Sequence, residues 1–137
     1  MLACPKGDDA LALRVDRKPA NLGDRCRLEC GGTVVRFIVF WKNTPTDVNA
    51  FERHYREVHI PLAWKLAGLR RYTLSRNASV VRGEEPHYRI AELDWDDMRS
   101  LRRAFESPEG RAVAEDVAKL AELSPDPQSE IYELEDV

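Results

Sequence analysis

The sequence predicts an α+β domain in which the order strand, helix, strand occurs twice. Three features carry this prediction: an apolar strand over residues 35–42, a long amphipathic helix after it, and the same order of elements in the second half of the chain. Two such units in tandem form a four-stranded antiparallel sheet with the helices on one of its faces. The expected architecture is therefore the ferredoxin-like βαββαβ fold.

The size and charge of the chain indicate one globular domain that does not bind nucleic acid. Its 137 residues are 43% hydrophobic, and 21 Lys and Arg stand against 24 Asp and Glu, which gives a formal net charge of −3. This balance does not provide the basic surface that nucleic acid requires. The longest apolar run is far shorter than the ~20 residues that cross a bilayer. Since residues 1–30 also lack the apolar core of a secretion signal, a cytoplasmic protein without a membrane partner is expected.

Residues 1–33 differ from the rest and are interpreted as a leader before a domain over residues 34–137. The leader holds all three cysteines, Cys4, Cys26 and Cys30, but no sustained apolar period and no histidine. A structural zinc site needs four ligands, so no metal site is predicted here. Two interpretations stay open for this segment. It is a disordered or loosely docked tail, or translation starts at a valine codon near residue 34 and the leader is absent from the native protein.

The first strand and helix carry the strongest pattern. Strand residues Phe37, Val39 and Trp41 share one face, and the opposite face is apolar as well. The helix is expected to begin at Thr44, Pro45 and Asp47 and to end at Gly68. At 100° per residue its apolar side chains form one stripe that faces the core. The members of that stripe are Val48, Phe51, Tyr55, Val58, Leu62 and Leu66.

Two residues interrupt the regular pattern of this helix. His59 lies at the flank of the apolar stripe, and Pro61 lacks the amide donor that a helix interior requires, which predicts a kink. His54 lies five residues before His59, about 140° away around a regular helix. The two imidazoles are therefore not expected to bind one metal ion, and His54 is interpreted as a packing or surface residue.

The second half of the chain completes the sheet and the helical layer. Strands are predicted over residues 69–76, 87–95 and 129–134, and helices are predicted to start at Asp96 and at Ser107. The sheet face without helices is expected to carry Tyr72, Leu74, Tyr88 and Ile90. Because soluble monomers rarely expose an apolar patch of this size, a homodimer that encloses a barrel-like interior is predicted.

Several segments together resemble the EthD family of dimeric α+β barrel proteins. They are FERHYREVHIPL, LAGLRRY, RIAELDW and SPEGRAVAEDVAKL, and the resemblance covers residues 35–134. The most specific piece is His59-x-Pro61-Leu62. The resemblance implies a homodimer with a cavity for a small hydrophobic or aromatic molecule. It also implies an accessory oxidoreductase in catabolism, whereas fungal relatives resemble cofactor-free decarboxylases or dehydratases.

His59 and Glu92 are the candidate catalytic residues. An imidazole with an ordinary pKa near 6.5 exchanges protons at neutral pH, although a histidine beside a proline kink also serves a structural role. Glu92 is expected on a face with aromatic side chains, where burial would raise its pKa; the alternative is an ion pair with Arg70 or Arg76. Asp116 matches a recurring position of the family, and by itself it is typical of a capping or ion-pairing residue.

Trp41, Tyr72 and Tyr88 are the candidate substrate-binding residues. Their rings are suited to stack on a flat aromatic ligand, and the alternative is an ordinary role in the core. No glycine-rich turn or P-loop is present in the sequence, so no nucleotide cofactor and no other cofactor is expected. Three functions stay open: an accessory oxidoreductase with His59 as proton carrier, a cofactor-free lyase or isomerase that uses His59 with Glu92, and a non-catalytic metabolite-binding protein.

Overall fold

A computed structural model describes residues 33–137 of the chain. The predictions made for the leader and its three cysteines concern residues 1–33. Apart from Thr33, these lie outside the described residues, so the domain boundary at residue 34 stays a prediction.

The four predicted strands form one antiparallel sheet. They are β1 (Val35–Trp41), β2 (Arg71–Leu74), β3 (Arg89–Trp95) and β4 (Gln128–Glu133). The sheet order is β2-β3-β1-β4, with β1 at the centre between β3 and β4. This order, with helices between β1 and β2 and between β3 and β4, confirms the predicted ferredoxin-like α+β fold.

Among residues 33–137 the helical layer is made of two groups. The first comprises α1 (Val48–His54), a π-helical turn (Tyr55–His59) and α2 (Ile60–Ala63). The second comprises α3 (Met98–Glu106) and α4 (Pro108–Ala121). Among residues 33–137, none of these helices has the length and apolar character needed to cross a membrane.

Side-chain caps set where the helices begin. Asp47 accepts a hydrogen bond from the amide of Ala50, so α1 begins three residues later than the Thr44 cap that the sequence suggested. Ser107 has an extended backbone and accepts from the amide of Gly110, while Pro108 occupies the first position of α4. The predicted break between α3 and α4 at Ser107 is therefore confirmed.

The π-helical turn changes the phase of the first helical group. The amide of Ile60 donates to the carbonyl of Tyr55, five residues earlier, instead of the usual four. Pro61 has no amide hydrogen to donate to Glu57 and its ring crowds that carbonyl, which explains why the chain widens here. As a result His59 is buried at 5% exposure, whereas Val58, predicted to face the core, is 39% exposed.

The inner face of the sheet packs against the helices and forms the core. Trp95 and Leu101 are almost fully buried, and the indole nitrogen of Trp95 donates to the carbonyl of Ala67 at 2.9 Å. Gly68 ends the helical segment with φ +79°, and a side chain there would approach Trp95 to 3.2 Å. The predicted stop at Gly68 is thus explained by both backbone conformation and packing.

The predicted face of β2 was wrong. Tyr72 pairs with Leu93 and Leu74 pairs with Ala91, so both lie on the helix-facing side of the sheet instead of the side without helices. Because side chains alternate along a strand, a one-residue difference in register reverses every assignment. In a four-residue strand that alternates Tyr and Leu with Arg and Thr, the sequence pattern does not state which side the helices cover.

Candidate functional site

A cavity of about 490 Å³ lies between the inner face of the sheet and the helices. Apolar side chains dominate its walls: Phe37, Val39, Leu93, Leu101, Phe105, Val113, Val117 and Ile131. Eight side chains with polar atoms line the same cavity: Trp41, Tyr55, His59, Tyr72, Arg102, Glu106, Gln128 and Ser129. This combination of mainly apolar walls with a smaller set of polar groups is typical of a site for a small organic molecule.

Asp116 bridges two histidines at one wall of this cavity. Its Oδ2 atom lies 2.8 Å from Nδ1 of His59, and its Oδ1 atom lies 2.7 Å from Nε2 of His54. The carboxyl group is 3% exposed and comes from α4, whereas both histidines come from the first helical group. The bridge therefore fixes the orientation of His59 with respect to the cavity.

The environment of His59 keeps its imidazole neutral. Burial lowers the pKa of His59 below its usual 6.5, and the hydrogen bond with Asp116 only partly offsets this effect. An ionised Asp116 can only accept, so Nδ1 of His59 carries the proton and donates it. In the neutral ring the other nitrogen, Nε2, then holds a lone pair that is not engaged by Asp116.

The π-helical turn explains why His54 belongs to this cluster. On a regular helix, residues five apart differ by about 140° and point to different sides. With about 4.4 residues per turn, which follows from i→i+5 bonding, the same spacing brings both imidazoles onto one carboxylate. His54, interpreted from the sequence as a packing or surface residue, is 31% exposed and packs against Asp116, a contact that the regular helical period did not predict.

Two tyrosine hydroxyls meet beside His59. The Oη atoms of Tyr55 and Tyr72 lie 3.1 Å apart, and the rings of Tyr55 and His59 have centroids 5.0 Å apart. Trp41 packs edge-on against Tyr55 with centroids 6.3 Å apart. The structure thus brings three of the five candidate residues, His59, Trp41 and Tyr72, to one cavity and adds Tyr55 to them.

Tyr88, the remaining candidate for substrate binding, is placed elsewhere. Its hydroxyl donates to Glu52, which also accepts from Arg89, and its ring packs against Phe51 with centroids 5.8 Å apart. Burial of the Glu52 carboxyl is outweighed by the bonds from Tyr88 and Arg89, which lower the pKa of Glu52. Tyr88 therefore joins the end of the sheet to α1 and does not line the cavity.

Glu92, the second catalytic candidate, lies on the opposite side of the sheet from the cavity. It pairs with Ile38 and Thr73 in the sheet register, whereas its neighbours Ala91 and Leu93 line the cavity. Its carboxylate lies 3.1 Å from Nη1 of Arg36, a partner other than the Arg70 or Arg76 considered from the sequence. Glu92 and His59 are therefore not brought together by the fold.

The sequence interpretation missed the roles of Asp116 and Tyr55. Asp116 is 57 residues from His59 along the chain, and only the docking of α4 on the π-helical turn joins them. Tyr55 was assigned to the core because its position fits the apolar stripe, which is correct for its ring but ignores its hydroxyl. In the sequence, Pro61 was the signal that the residues before it depart from regular α-helical spacing.

The site is suited to proton transfer on an apolar molecule. A neutral imidazole held by a carboxylate acts as a general base when a ligand carries an acidic C–H or O–H group. Two phenol groups and an indole next to it provide hydrogen-bond donors. Within residues 33–137 no group of three or more His, Cys, Asp or Glu side chains has an arrangement suitable for a metal ion.

The fold and the cavity define a small ferredoxin-like α+β protein with a mainly apolar cavity. Residues 43–124 match the EthD domain, and the chain belongs to the EthD family. In sequence it is similar to an uncharacterized 11.0 kDa protein from the thcB–thcC intergenic region of Rhodococcus erythropolis. The identity is 33% over 79 residues, which are 58% of this chain and 77% of the relative.

Solved structures extend the comparison. An EthD family protein of Bacillus halodurans shares 32% identity with a TM-score of 0.65, over 74% of this chain and 99% of the other. The N63A mutant of SnoaB, a cofactor-independent oxygenase of Streptomyces nogalater, shares 20% sequence identity with a TM-score of 0.54. The match covers 78% of this chain and 97% of SnoaB. A dimeric ferredoxin-like protein of unknown function from Thermobifida fusca shares 17% sequence identity with a TM-score of 0.56. The match covers 75% of this chain and 92% of the other. The last two show likeness of fold alone.

Proposed function

We propose that this EthD domain binds a small hydrophobic or aromatic metabolite in the cavity and that His59 takes a proton from it without a nucleotide cofactor. The observation that carries the proposal is the position of His59, held by Asp116 at 2.8 Å, in the wall of a 490 Å³ apolar cavity. Burial lowers the pKa of His59, and a base whose pKa lies below the working pH is present in its active form.

Proton abstraction is also the first step that an oxidoreductase role would use here. A carbanion formed by His59 either reacts with molecular oxygen or undergoes loss or migration of a group, and these outcomes correspond to oxygenation and to lyase or isomerase chemistry. SnoaB, which shares the fold, is a cofactor-independent oxygenase and supports the first outcome. Oxygen uptake during turnover of the native metabolite separates the two reaction classes.

A homodimer is part of the proposal. Both helical groups lie on the inner side of the sheet, so no helix from residues 33–137 covers its other side. Strand β4 is exposed along its whole length, with Ile131 at 46% and Tyr132 at 38% exposure. The Thermobifida fusca structure is described as dimeric, which favours the same arrangement. Sedimentation equilibrium should give twice the chain mass, and a monomer at micromolar concentration would contradict the dimer.

The boundary at residue 34 is proposed together with this assembly. A fragment of residues 34–137 should fold with the same thermal transition and bind the same probes as the full chain. Loss of either property in the fragment would show that residues 1–33 contribute to the domain.

The proton-transfer step can be tested without knowledge of the metabolite. The probe 5-nitrobenzisoxazole is a flat aromatic molecule that releases a coloured phenolate when a base removes its C3 proton and the N–O bond breaks. We expect the protein to accelerate this reaction, with a rate that rises through a pKa below about 6.5 and is level at neutral pH. His59→Gln should lower the rate by about 100-fold or more.

A matched control separates the site from general surface effects. His87 lies against the ring of Phe40, with centroids 4.8 Å apart, and does not line the cavity. His87→Gln should therefore leave the rate unchanged. Equal rates for wild type and His59→Gln would overturn the proposal, and binding of the probe without acceleration would favour the metabolite-binding function instead.

A further inference from the structure

At the polar end of the cavity, one tyrosine hydroxyl hydrogen has no acceptor among residues 33–137. Tyr55 and Tyr72 share one hydrogen bond of 3.1 Å, which uses one of their two hydroxyl hydrogens. Besides that bond, the Tyr55 hydroxyl interacts with the indole of Trp41, which can donate but not accept, so within residues 33–137 the second hydroxyl hydrogen has no acceptor. The indole nitrogen is buried, and its contact with the Tyr55 hydroxyl lacks the geometry of a regular hydrogen bond. Together these three side chains are called the donor cluster below.

An imbalance of this kind is unusual in a protein interior. Buried donors almost always find an acceptor, because an unpaired one loses its hydrogen bonds to water without replacement. All three members of the donor cluster line the cavity together with His59. Burial raises the pKa of both tyrosine hydroxyls, so both are neutral near pH 7 and keep their hydrogens. The acceptor that completes the cluster must therefore enter through the cavity.

We propose that the donor cluster binds a carbonyl oxygen of the ligand, so that the cavity selects an apolar or aromatic ketone with a C–H group next to the carbonyl. This inference rests on the proposed function, because it places the acidic C–H group near His59. The rings of Tyr55 and His59 are in contact, with centroids 5.0 Å apart, so the donor cluster and the imidazole are neighbours in the cavity wall.

The proposed step transfers one proton from the ligand to His59 and moves electron pairs within the ligand. Nε2 of His59 takes the proton from the carbon next to the carbonyl, and the electron pair of that C–H bond forms a C–C double bond. The π electrons of the carbonyl move onto its oxygen, which becomes an enolate oxygen held by the donor cluster. Donors aimed at a developing negative charge lower the barrier more than they stabilise the neutral ketone.

A carbonyl oxygen fits the donor cluster better than a second hydroxyl donor would. The cluster has hydrogens to give, and a ketone only accepts hydrogen bonds, whereas an alcohol brings a further hydrogen that itself needs an acceptor. A bound water molecule is the competing occupant, and in that case a ligand carbonyl would gain nothing from this part of the cavity.

The test compares two probes that differ at one position, 1-tetralone and tetralin. They have nearly the same shape, but the first has a carbonyl where the second has a methylene group. We expect calorimetry to show that the wild-type protein binds 1-tetralone about 3- to 10-fold more tightly, the value of one net hydrogen bond. In ¹H–¹⁵N spectra, the indole resonance of Trp41 should shift on addition of 1-tetralone more than on addition of tetralin.

Phenylalanine substitutions locate the preference at the donor cluster. A single change leaves one hydroxyl free to donate, so the double variant Tyr55→Phe with Tyr72→Phe is used. It keeps only the Trp41 indole of the donor cluster, and its preference for the ketone should be smaller than that of the wild type. Tyr132→Phe is the matched control, since Tyr132 is exposed on β4 and does not line the cavity. It should keep the full 3- to 10-fold preference expected for one hydrogen bond, about the wild-type value.

The outcomes distinguish this inference from the proposed function. His59→Gln should keep the preference for 1-tetralone while it loses proton abstraction from 5-nitrobenzisoxazole. Equal affinity for the two probes, tighter binding of tetralin, or no binding of either would overturn the inference. An undiminished preference in the double variant would also overturn it. If the double variant does not fold, the relative affinity of the wild-type protein for 1-tetralone and tetralin tests the inference.

Discussion

Two buried carboxylates, Asp116 and Asp94, lie in clusters on opposite sides of the sheet and have different partners. Asp94, 6% exposed, is held by the guanidinium of Arg36 through two hydrogen bonds of 2.7 and 2.9 Å. Asp116, 3% exposed, is held by His54 and His59 at 2.7 and 2.8 Å. The geometry is similar, but arginine stays protonated at every physiological pH and histidine does not.

This difference in partners indicates which of the two clusters can take part in proton transfer. In the Arg36 cluster the guanidinium stays charged and also pairs with Glu92 at 3.1 Å, so the cluster is a closed ion-pair network that contributes to stability. In the Asp116 cluster His59 keeps one ring nitrogen free and lines the cavity. Perturbed histidines next to a cavity are typical of functional sites, whereas a closed arginine pair is typical of structure.

The largest effect on folding is expected from Arg36→Met. This change leaves Asp94 buried without its partner, and we expect a loss of about 3 kcal/mol in the free energy of unfolding. Chemical denaturation measures the loss, and the rate with 5-nitrobenzisoxazole in the folded protein should be unchanged. A loss below about 1 kcal/mol, the range of a surface pair, would show that the cluster on this side of the sheet is not structural.

Asp116→Asn should have a smaller effect on folding and a large effect on chemistry. The amide keeps the shape but loses the charge and one acceptor, so we expect a loss of about 2 kcal/mol in stability. His59 also loses the group that fixes its tautomer, and the rate with 5-nitrobenzisoxazole should fall by about 100-fold. An unchanged rate would contradict the role of Asp116 in positioning His59 for proton transfer.

Most of the fold could be predicted from the sequence because local patterns determined it. The apolar alternation of β1 and the Ser107-Pro108 start of α4 are short-range signals, and the structure confirms both. The face of β2 was wrong because four residues carry too little pattern to set register. The His54, Asp116 and His59 cluster was missed because a regular helical period was assumed across Pro61, and because Asp116 joins it only through tertiary packing.

Pro61→Ala tests the link between the π-helical turn and the cluster. An amide at this position can donate to Glu57 and restore regular helical bonding, which would turn His54 away from Asp116. We expect the rate with 5-nitrobenzisoxazole to fall about 10-fold as His59 loses its alignment. A crystal structure of the variant that retains both histidine contacts would show that the turn does not depend on Pro61.

The smallest expected effect is on the pH dependence of stability. Because the pKa of His59 is lower in the folded protein than in the unfolded chain, the unfolded chain binds a proton first as the pH falls below about 6.5. Wild-type stability should therefore decline below this pH, down to the folded pKa of His59, and His59→Gln should show a weaker decline. Arg36→Met should show the wild-type dependence in this range. Identical slopes for wild type and His59→Gln would contradict the assigned shift.

The protonation state of His59 is the central claim, and it can be measured directly. Two-dimensional ¹H–¹⁵N spectra of the histidine rings, recorded as a function of pH, report the pKa and the tautomer of each ring. At pH 7 we expect His59 to be neutral with the proton on Nδ1 and a free Nε2, and its pKa to lie below 6.5. A pKa above 6.5, or a neutral ring with the proton on Nε2, would contradict the role of His59 as a base held by Asp116.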